Sequence, residues 1–561
     1  MQSFPTLPQK YPDMPNITFG IEGIEKQFRN LNPSKSCGPD NIASRVLKEC
    51  ASELAPIYQH LFDQSYKEGT LPSSWTHAHV CPIFKKGSRS SPENYRPVSL
   101  TSIPCKVMEH ILASQIWSHL NHYNIISPDQ HGFRAGMSCE TQLIQATFDW
   151  CSTLNKGSSQ TDIILLDFSK AFDVVPHNRL LEKIASYGIT NHTRNWVKGF
   201  LSSRTQQVLV NGHSSPIGKV TSGVPQGTVL GPLLFILYIN DINEHLSSKI
   251  RLFADDSALY RSIDTLNDAV TLQKDIFHLQ NWANKWQMNF NIKKCKTLRI
   301  TRKTKNVINF DYSMASPVEH QDCPMNQNIS DLAKTTLQYK FSSLVPLELI
   351  VSDKYLGVHL DNKLTFNTHI AETTKKATKL LNLCRRSLNM CPPNVKETAY
   401  KAIIRPHLEY ASSAWAPYTQ TNINKIESVQ KRAARFVLQN YSYNTSITHL
   451  IQNKLKWTTL QNRRAARDIL IFHKIHHNKL NIPFPPCVQT STRDNNRYIY
   501  LQTLHSDTFK YHFYTRTIRI WNTLPTTITE PPIVSETLRQ SLEAWINCKN
   551  WSRCKGTLTL G

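Results

Sequence analysis

The chain has 561 residues, of which 40% are hydrophobic, so it can bury sizeable cores and wholesale disorder is excluded. Lysine and arginine total 65 against 41 acidic residues, and the formal charge of +24 favours a polyanionic partner such as nucleic acid. The start, Met1–Pro5, does not read as a signal peptide, and the longest apolar run, near Leu233, is too short to span a bilayer. We therefore expect no membrane partner. The 13 cysteines include no CxxC pair, which indicates reduced thiols rather than a zinc site.

Residues 1–70 are predicted to be an N-terminal extension, in which a loop over 32–40 leads into the helical pattern Ile42, Val46 and Leu47. We expect this extension to pack on the region that follows it.

Residues 71–160 begin with a predicted strand, Val80–Phe84, and a basic turn. Lys85 in that turn and Arg96 shortly after it are cations beside an apolar strand pair, and such groups suit phosphate oxygens. A nucleoside triphosphate is one partner that they could hold. Solvated surface charge is the alternative.

Three blocks within residues 161–300 carry the strongest signal. Ile163–Leu166 reads as a buried strand with Asp167 at its end, and Ser222–Pro232 is a Gly- and Pro-rich turn that contains Gln226. In the third block, Phe253-Ala254-Asp255-Asp256, apolar residues flank two adjacent acids, which predicts a hairpin of two short strands with the acids at its tip. Adjacent carboxylates there are costly unless a cation binds them. The usual cation is a divalent metal that carries a nucleotide's phosphates.

Helices are predicted between and after these blocks. Leu180–Ile184 lies on a helix that ends before Gly188, and an aromatic stripe from Ala269 to Trp286 marks a long helix whose stripe belongs to a core.

Residues 301–350 are atypical, because 312–320 would join 351–355 smoothly if Gln321–Ile350 were absent. We interpret that stretch as an insertion, of the kind that a retained intron would leave; a natural extended loop is the alternative.

Residues 361–470 read as helical. One predicted helix has apolar positions from Ile426 to Val437 with lysines and arginines between them, and this basic face either lies along a nucleic-acid duplex or is simply solvated. No chemistry can be assigned to residues 471–561.

The three blocks, in this order, resemble the reverse transcriptase core of non-LTR (LINE-type) retrotransposons, of the Jockey and CR1-like branch. Further phrases carry the same resemblance: Tyr95–Leu100, His131–Arg134, Asn291–Cys295, Lys354–Val358 and Arg516–Asn522. The resemblance covers nearly the whole chain. It implies an α+β fold, the right-hand polymerase. The expected parts are fingers at 71–160, a palm of antiparallel sheet plus helices with the catalytic aspartates at 161–300, a palm–thumb hairpin at 351–360, and a helical thumb at 361–470.

The resemblance also implies roles for single residues. Two Mg²⁺ ions, or Mn²⁺ in their place, are expected on Asp167, Asp255, Asp256 and the backbone carbonyl of Phe168. Lys294 is expected to contact the triphosphate or protonate pyrophosphate. Nucleotide-binding roles fall to a set of four: Phe172 as the gate against a 2′-hydroxyl, Gln226 facing the nucleotide or template base, and Arg96 and Lys85 on the triphosphate. The phrase His131–Arg134 is expected to shape the template path.

The resemblance thus implies an RNA-directed DNA polymerase that copies element RNA, with an RNA template, a DNA primer end and dNTPs as partners. Such a protein is expected in nucleus and cytoplasm as a ribonucleoprotein. No endonuclease-like segment is recognised before residue 70, so the nick in the chromosome is expected from elsewhere. The alternative is a decayed remnant that only binds RNA. The atypical stretch favours this alternative, and the three intact aspartates argue against it. A telomerase-like host polymerase is a third possibility, which the tail phrases disfavour.

Overall fold

Helices and strands alternate through the part of the chain that the computed structural model describes: residues 5, 7–156, 159–315, 344–442, 446–485, 487–492, 495–500, 505–529, 540, 542 and 545. The strands are β1 (His77–Phe84), β2 (Tyr95–Leu100), β3 (Gln160–Leu166), β4 (Thr205–Val210), β5 (His213–Ser214), β6 (Gly218–Lys219), β7 (Lys249–Phe253), β8 (Asp256–Ser262), β9 (Lys296–Thr301), β10 (Ser313–Ala315), β11 (Leu344–Pro346), β12 (Glu348–Ile350), β13 (Ser352–Tyr355), β14 (Val358–Asp361), β15 (Cys487–Thr492) and β16 (Asn495–Tyr500).

The helices before residue 300 are α1 (Ile21–Arg29), α2 (Ser44–Glu49), α3 (Ala51–Glu68), α4 (Ser73–Thr76), α5 (Ile103–His122), α6 (Cys139–Asn155), α7 (His177–Ser186), α8 (Asn191–Leu201), α9 (Leu230–Ile239) and α10 (Leu266–Lys285). Those after it are α11 (Asn367–Ser387), α12 (Pro393–Ala399), α13 (Arg405–Glu409), α14 (Ser412–Trp415), α15 (Gln420–Leu438), α16 (Ile447–Asn453), α17 (Leu460–His476), α18 (Asp507–Lys510), α19 (Phe513–Trp521) and α20 (Thr526–Thr529). The fold is thus mixed α and β.

A five-stranded sheet with the order β12-β9-β3-β8-β7 forms the middle of the molecule. Its central strand β3 is antiparallel to both β8 and β9, and only β12 joins in parallel, on β9. The apolar run that predicted β3 is explained by this position, since Ile163 and Ile164 are fully buried between helices on the two faces of the sheet.

A second sheet has the order β2-β1-β4-β5, with β6 also on β4. Strand β4 leads into an Asn-Gly turn, in which Asn211 and Gly212 both take positive φ. Sequence reasoning had grouped β4 with the strands of residues 161–300, but it pairs in parallel with β1, His77 beside Thr205. The reason is the free edge of β1, whose other side is taken by β2.

The N-terminal extension packs on helices from two predicted regions. Tyr66 of α3 bonds Thr193 of α8 and the Ile17 amide, and the Met14 amide donates to the carbonyl of Gly188 after α7. The same core includes α5. The extension was expected to pack on residues 71–160, and in the structure it also covers α7 and α8.

The stretch predicted to be an insertion lies mostly outside the described residues, as far as residue 343. Its end is described: β11 pairs with β10 at 313–315, and β12 extends the central sheet beside β9. The hairpin predicted at 351–360 forms as β13 and β14, with Leu356 and Gly357 at positive φ in its turn.

The region predicted as helical, residues 361–470, consists of helices α11 to α17 joined by loops after the end of β14. In α15 the apolar positions Ile426, Val429, Ala433, Phe436 and Val437 are all buried, as predicted. One wide π-type turn over 400–404 separates α12 from α13, and Ile403 in this turn is about half exposed, at 47%. No helix within the described ranges is long and apolar enough to cross a bilayer.

Candidate active site

Asp167 follows the last residue of β3, at one end of the central sheet. Leu166 faces Ser257 of β8, so continuing the antiparallel register by one residue sets Asp167 opposite Asp256. On the other side Leu165 faces Lys296 of β9, and continuing that register by two residues sets Asp167 opposite Lys294. The register of the central strand therefore brings two acids and a lysine to one edge of the sheet.

The hairpin of β7 and β8 has the two acids at its tip, as predicted. Phe253 pairs with Asp256, and the turn between them contains Ala254 at φ 55° and Asp255. Burial, followed by repulsion from Asp255 and Asp167, raises the pKa of Asp256 to about 6. Asp255 and Asp167 thus lie close enough to Asp256 to oppose its ionisation, although Asp256 is itself exposed.

Asp255 is in the same electrostatic position. Burial raises its pKa and Asp167 adds to the rise, while Arg96 and Lys85 act in the opposite direction. Arg96 pairs with Ile83 across β1 and β2, and the Lys85 amide donates to Asn94 at the end of that hairpin. Both cations are exposed. The tip of the β1–β2 hairpin thus turns positive charge toward the acids.

Segment 130–132 holds in place the turn of Ala254 and Asp255 between β7 and β8, which we call the acidic turn. The side-chain oxygen of Gln130 accepts from the amide of Ala254 at 3.0 Å and from that of Gly132 at 2.7 Å. The His131 amide donates to Leu252 at 2.9 Å. A Cβ on Gly132 would lie 2.4 Å from the Ala254 nitrogen, so only glycine allows this approach. The sequence analysis predicted no role for Gln130, although this residue directly precedes the phrase His131–Arg134.

The phrase His131–Arg134 was expected to shape the template path, but two of its side chains are turned inward. His131 is buried and bonded to Thr141 and Gln145, and burial lowers its pKa to about 4, so the ring is neutral. Arg134 donates to the carbonyls of Ser127 and Gln130. Their packing fixes the backbone of this segment.

Lys294 reaches the site as the register requires. Its Nζ lies 3.3 Å from Oδ1 of Asp167, and both side chains are partly exposed. Within the described ranges no three His, Cys, Asp or Glu side chains already stand close enough to hold a metal ion.

Phe168 is fixed by stacking on Phe290, with ring centroids 4.4 Å apart. The backbone there is tied by two bonds, from the Ser169 amide to Asn289 and from the Asn291 amide to Asp167. Neither of these bonds uses the Phe168 carbonyl, so they leave it available as a ligand.

Phe172 and Gln226 belong to two segments that are hydrogen-bonded to each other, since the Val224 amide donates to the carbonyl of Phe172. Phe172 stacks on Phe235 of α9 with centroids 4.2 Å apart, and the Gln226 amide nitrogen donates to Oδ1 of Asp173 at 3.1 Å. The Ser99 amide donates to the Gln226 carbonyl at 2.7 Å. The Gly-Pro turn thereby links the β1–β2 hairpin to the segment that follows Asp167.

Glu109 is a further residue that sequence reasoning missed. Its fully buried carboxylate accepts from the amides of Val229 and Leu230, at 2.7 and 3.0 Å, and so caps α9 from another helix. Burial raises its pKa. No local pattern in α5 marks this acid, because its partners lie far along the chain.

The comparisons with known proteins agree with this geometry. Residues 83–345 match the family described as "Reverse transcriptase (RNA-dependent DNA polymerase)", and that range contains all the candidate site residues. The chain is 26% identical over 436 residues to the probable RNA-directed DNA polymerase from transposon BS, and 27% identical over 444 residues to that from transposon X-element, both of Drosophila melanogaster. It is 26% identical over 437 residues to the RNA-directed DNA polymerase from mobile element jockey of the same fly.

These three alignments cover 74%, 76% and 75% of this chain but 44% of each relative, so the chain spans less than half the length of the proteins it matches. The family match falls on the two sheets and the carboxylates, and the relatives are polymerases of mobile elements. Residues 83–345 therefore match a reverse transcriptase domain, and the chain is similar to the polymerases of Jockey-like, non-LTR (LINE-type) retrotransposons.

Proposed function

We propose that this chain is an RNA-directed DNA polymerase that copies the RNA of a non-LTR retrotransposon into DNA by two-metal nucleotidyl transfer. The proposal rests above all on the register of the central sheet, whose continuation sets Asp167 opposite Asp256, and on the contact between Asp167 and Lys294. Acids paired with a lysine at the end of a buried strand suit the transfer of a phosphoryl group.

In this proposal the two sheets are parts of a right-hand polymerase. The β1–β2 hairpin and its surroundings (71–160) act as fingers, with β4 added to their sheet, and the central sheet (161–300) acts as the palm. The helices of 361–470 act as the thumb, joined to the palm through the hairpin at 351–360. The basic face of α15 would then face the duplex.

The donor set fits Mg²⁺ in its chemistry, because carboxylate and carbonyl oxygens are the ligands that this cation takes. The raised pKa values of Asp255 and Asp256 support the assignment, since a cation relieves the repulsion among the acids. We assign Asp167, Asp255, Asp256 and the Phe168 carbonyl as the groups that hold two Mg²⁺ ions, for which Mn²⁺ could substitute. When bound, the ions would acidify the primer 3′-hydroxyl and neutralise charge on the leaving pyrophosphate.

The other site residues bind and orient the substrate. Lys294, released from Asp167, would place its ammonium on the triphosphate and give a proton to the departing pyrophosphate. Phe172 would lie under the sugar and exclude a 2′-hydroxyl, and Gln226 would contact the incoming nucleotide or the template base. Arg96 and Lys85, which act electrostatically on Asp255, would bind the phosphates.

The substrates would be an RNA template, a DNA primer end and dNTPs, and the net charge of +24 supports a nucleic-acid partner. The nick that frees the primer end would come from an endonuclease, as a separate domain or protein. We further propose that the protein acts as a ribonucleoprotein found in both cytoplasm and nucleus.

Primer extension on an RNA template tests the proposal. With purified protein, dNTPs and Mg²⁺ we expect extension that disappears in the double variant Asp255→Ala, Asp256→Ala. RNA binding by the same two proteins is the second readout, and it should be retained in the variant. Tight RNA binding without extension by the wild type would instead favour a decayed RNA-binding remnant.

A further inference from the structure

Phe133 is an exposed aromatic side chain on a rigid piece of backbone. It is 52% exposed and has φ 57°, a conformation that bulky residues rarely adopt. The residues on both sides of it are anchored, Gly132 against the acidic turn and Arg134 on two carbonyls. Strain of this kind persists only where the surroundings impose it, and it concentrates at functional positions.

The ring of Phe133 points to Phe172. Their centroids are 6.2 Å apart and the ring planes cross at 84°, an edge-to-face contact. Phe172 in turn stacks on Phe235, which is fully buried in α9. Phe172 is therefore supported by Phe235 on a fixed helix and by Phe133 on a fixed loop, while it remains only half-buried itself.

We propose that Phe133 is a specificity-determining residue, which holds Phe172 in position and thereby sets the discrimination between deoxyribonucleotides and ribonucleotides. The inference rests on the proposed function and deepens it. A ring that excludes one hydroxyl must resist displacement by about an ångström or less, and a single stacking contact leaves the far edge of the ring able to tilt. The contact with Phe133 restrains that tilt.

The test is the ratio of kcat/KM for a dNTP to that for the matching rNTP, measured on an RNA template. Phe172→Ala should remove most of the discrimination, and Phe133→Ala should lower the ratio by about threefold to tenfold, the range of one aromatic contact. The double variant should discriminate no worse than Phe172→Ala alone, because Phe133 acts only through Phe172. A purely structural role would lower both rates and leave their ratio unchanged.

Two further variants keep the test sharp. Phe133→Gly removes the ring but relieves the positive φ, so it should fold at least as well as Phe133→Ala and still lose discrimination. Tyr123→Ala is the matched control: Tyr123 is 37% exposed with an aromatic neighbour, Tyr11, at 6.4 Å, and it lies outside the site. Its ratio should not change.

Each outcome has one meaning. An unchanged ratio in Phe133→Ala and Phe133→Gly, beside a lowered ratio in Phe172→Ala, overturns the inference and leaves the polymerase proposal standing. An additive double variant also overturns it. If Phe172→Ala still discriminates, the gate and its support both fall. Absence of extension by the wild type removes the polymerase proposal together with this inference.

Discussion

The acidic side chains at the candidate site act electrostatically on one another. Asp256 stands near Asp255 and Asp167, and Asp167 is partly neutralised by Lys294. The folded pKa of Asp256 is about 6 against an ordinary value of 3.8, so folding favours the protonated carboxyl. Its contribution to stability is therefore present at low pH and is lost as the pH rises through the folded pKa.

Asp256→Asn should stabilise the metal-free protein at neutral pH, because it removes that repulsion. In EDTA, the difference in Tm between the variant and the wild type should be near zero below pH about 4, grow between about 4 and 6, and stay constant above. Thermal unfolding followed across pH 3.5 to 8 measures it, with added Mg²⁺ expected to reverse the order. A variant that is less stable than the wild type at pH 7 would contradict the electrostatic account.

Lys294 has a test that separates charge from proton donation. As a general acid it should contribute about 10²–10⁴-fold to kcat, so Lys294→Gln should lose that factor. Lys294→Arg keeps the charge but hardly ever releases a proton, and it should be nearly as slow. Single-turnover incorporation measures both, with the exposed neighbour Lys293→Gln as control. Full rescue by arginine would leave Lys294 with a purely electrostatic role.

At the scale of elements, α9 supports two of the residues that we propose to bind the nucleotide. Its first turn is capped from two sides: the Thr228 hydroxyl accepts from the Gly231 amide at 3.1 Å, and Glu109 of α5 accepts from the amides of Val229 and Leu230. The same helix carries Phe235 beneath Phe172, and the Gln226 turn leads into it. One buried carboxylate thus fixes the start of a helix on which two site residues depend.

Glu109→Ala should lower the free energy of unfolding by about 1–3 kcal/mol, because two buried amides lose their acceptor. It should also raise KM for dNTP by displacing Gln226. Urea unfolding and steady-state kinetics measure the two effects, and Glu93→Ala, which removes an exposed acid, serves as control. Stability equal to that of the wild type would show that solvent replaces the acceptor.

The strands that hold the acids could be predicted from the sequence because their signals are local. An apolar run ends at Asp167, and apolar residues flank Asp255 and Asp256. The pairing of β4 with β1 could not be predicted, since His77 and Thr205 are 128 positions apart and no local pattern joins them. Glu109 could not be predicted for the same reason, since its partners lie far along the chain. The inward direction of His131 depends on packing and could not be predicted from the phrase His131–Arg134.

At the scale of the whole molecule, two ion pairs join helices that lie far apart in the described part of the chain. Arg467 of α17 donates to Glu140 of α6 through its Nε and Nη2 atoms. Arg516 of α19 donates to Asp468 at 2.9 Å and to the Ser413 carbonyl at 2.7 Å. The phrase Arg516–Asn522, which carries part of the family resemblance, therefore has a structural role in the described part of residues 471–561. Through α6 it reaches the back of the central sheet.

Arg516→Ala should destabilise the protein by about 3–5 kcal/mol, because it leaves Asp468 buried without its partner. Adding Asp468→Asn should recover part of the loss. Arg519→Ala, on the same helix, should stay within about 0.5 kcal/mol of the wild type. Denaturant unfolding measures all three, and a small effect of Arg516→Ala would mean that the C-terminal region is not coupled to the core.

The most direct measurement of the central claim is single-nucleotide incorporation on an RNA template as Mg²⁺ is titrated, for the wild type, Asp167→Asn and Asp264→Asn. Asp264 is an exposed acid beyond the far end of β8 and serves as the matched control. The account predicts incorporation that saturates with Mg²⁺ in the wild type and in Asp264→Asn. In Asp167→Asn the rate of incorporation should fall by a factor of about a thousand or more. Incorporation by Asp167→Asn at the wild-type rate, or none by a folded wild type at any Mg²⁺ concentration, would contradict it.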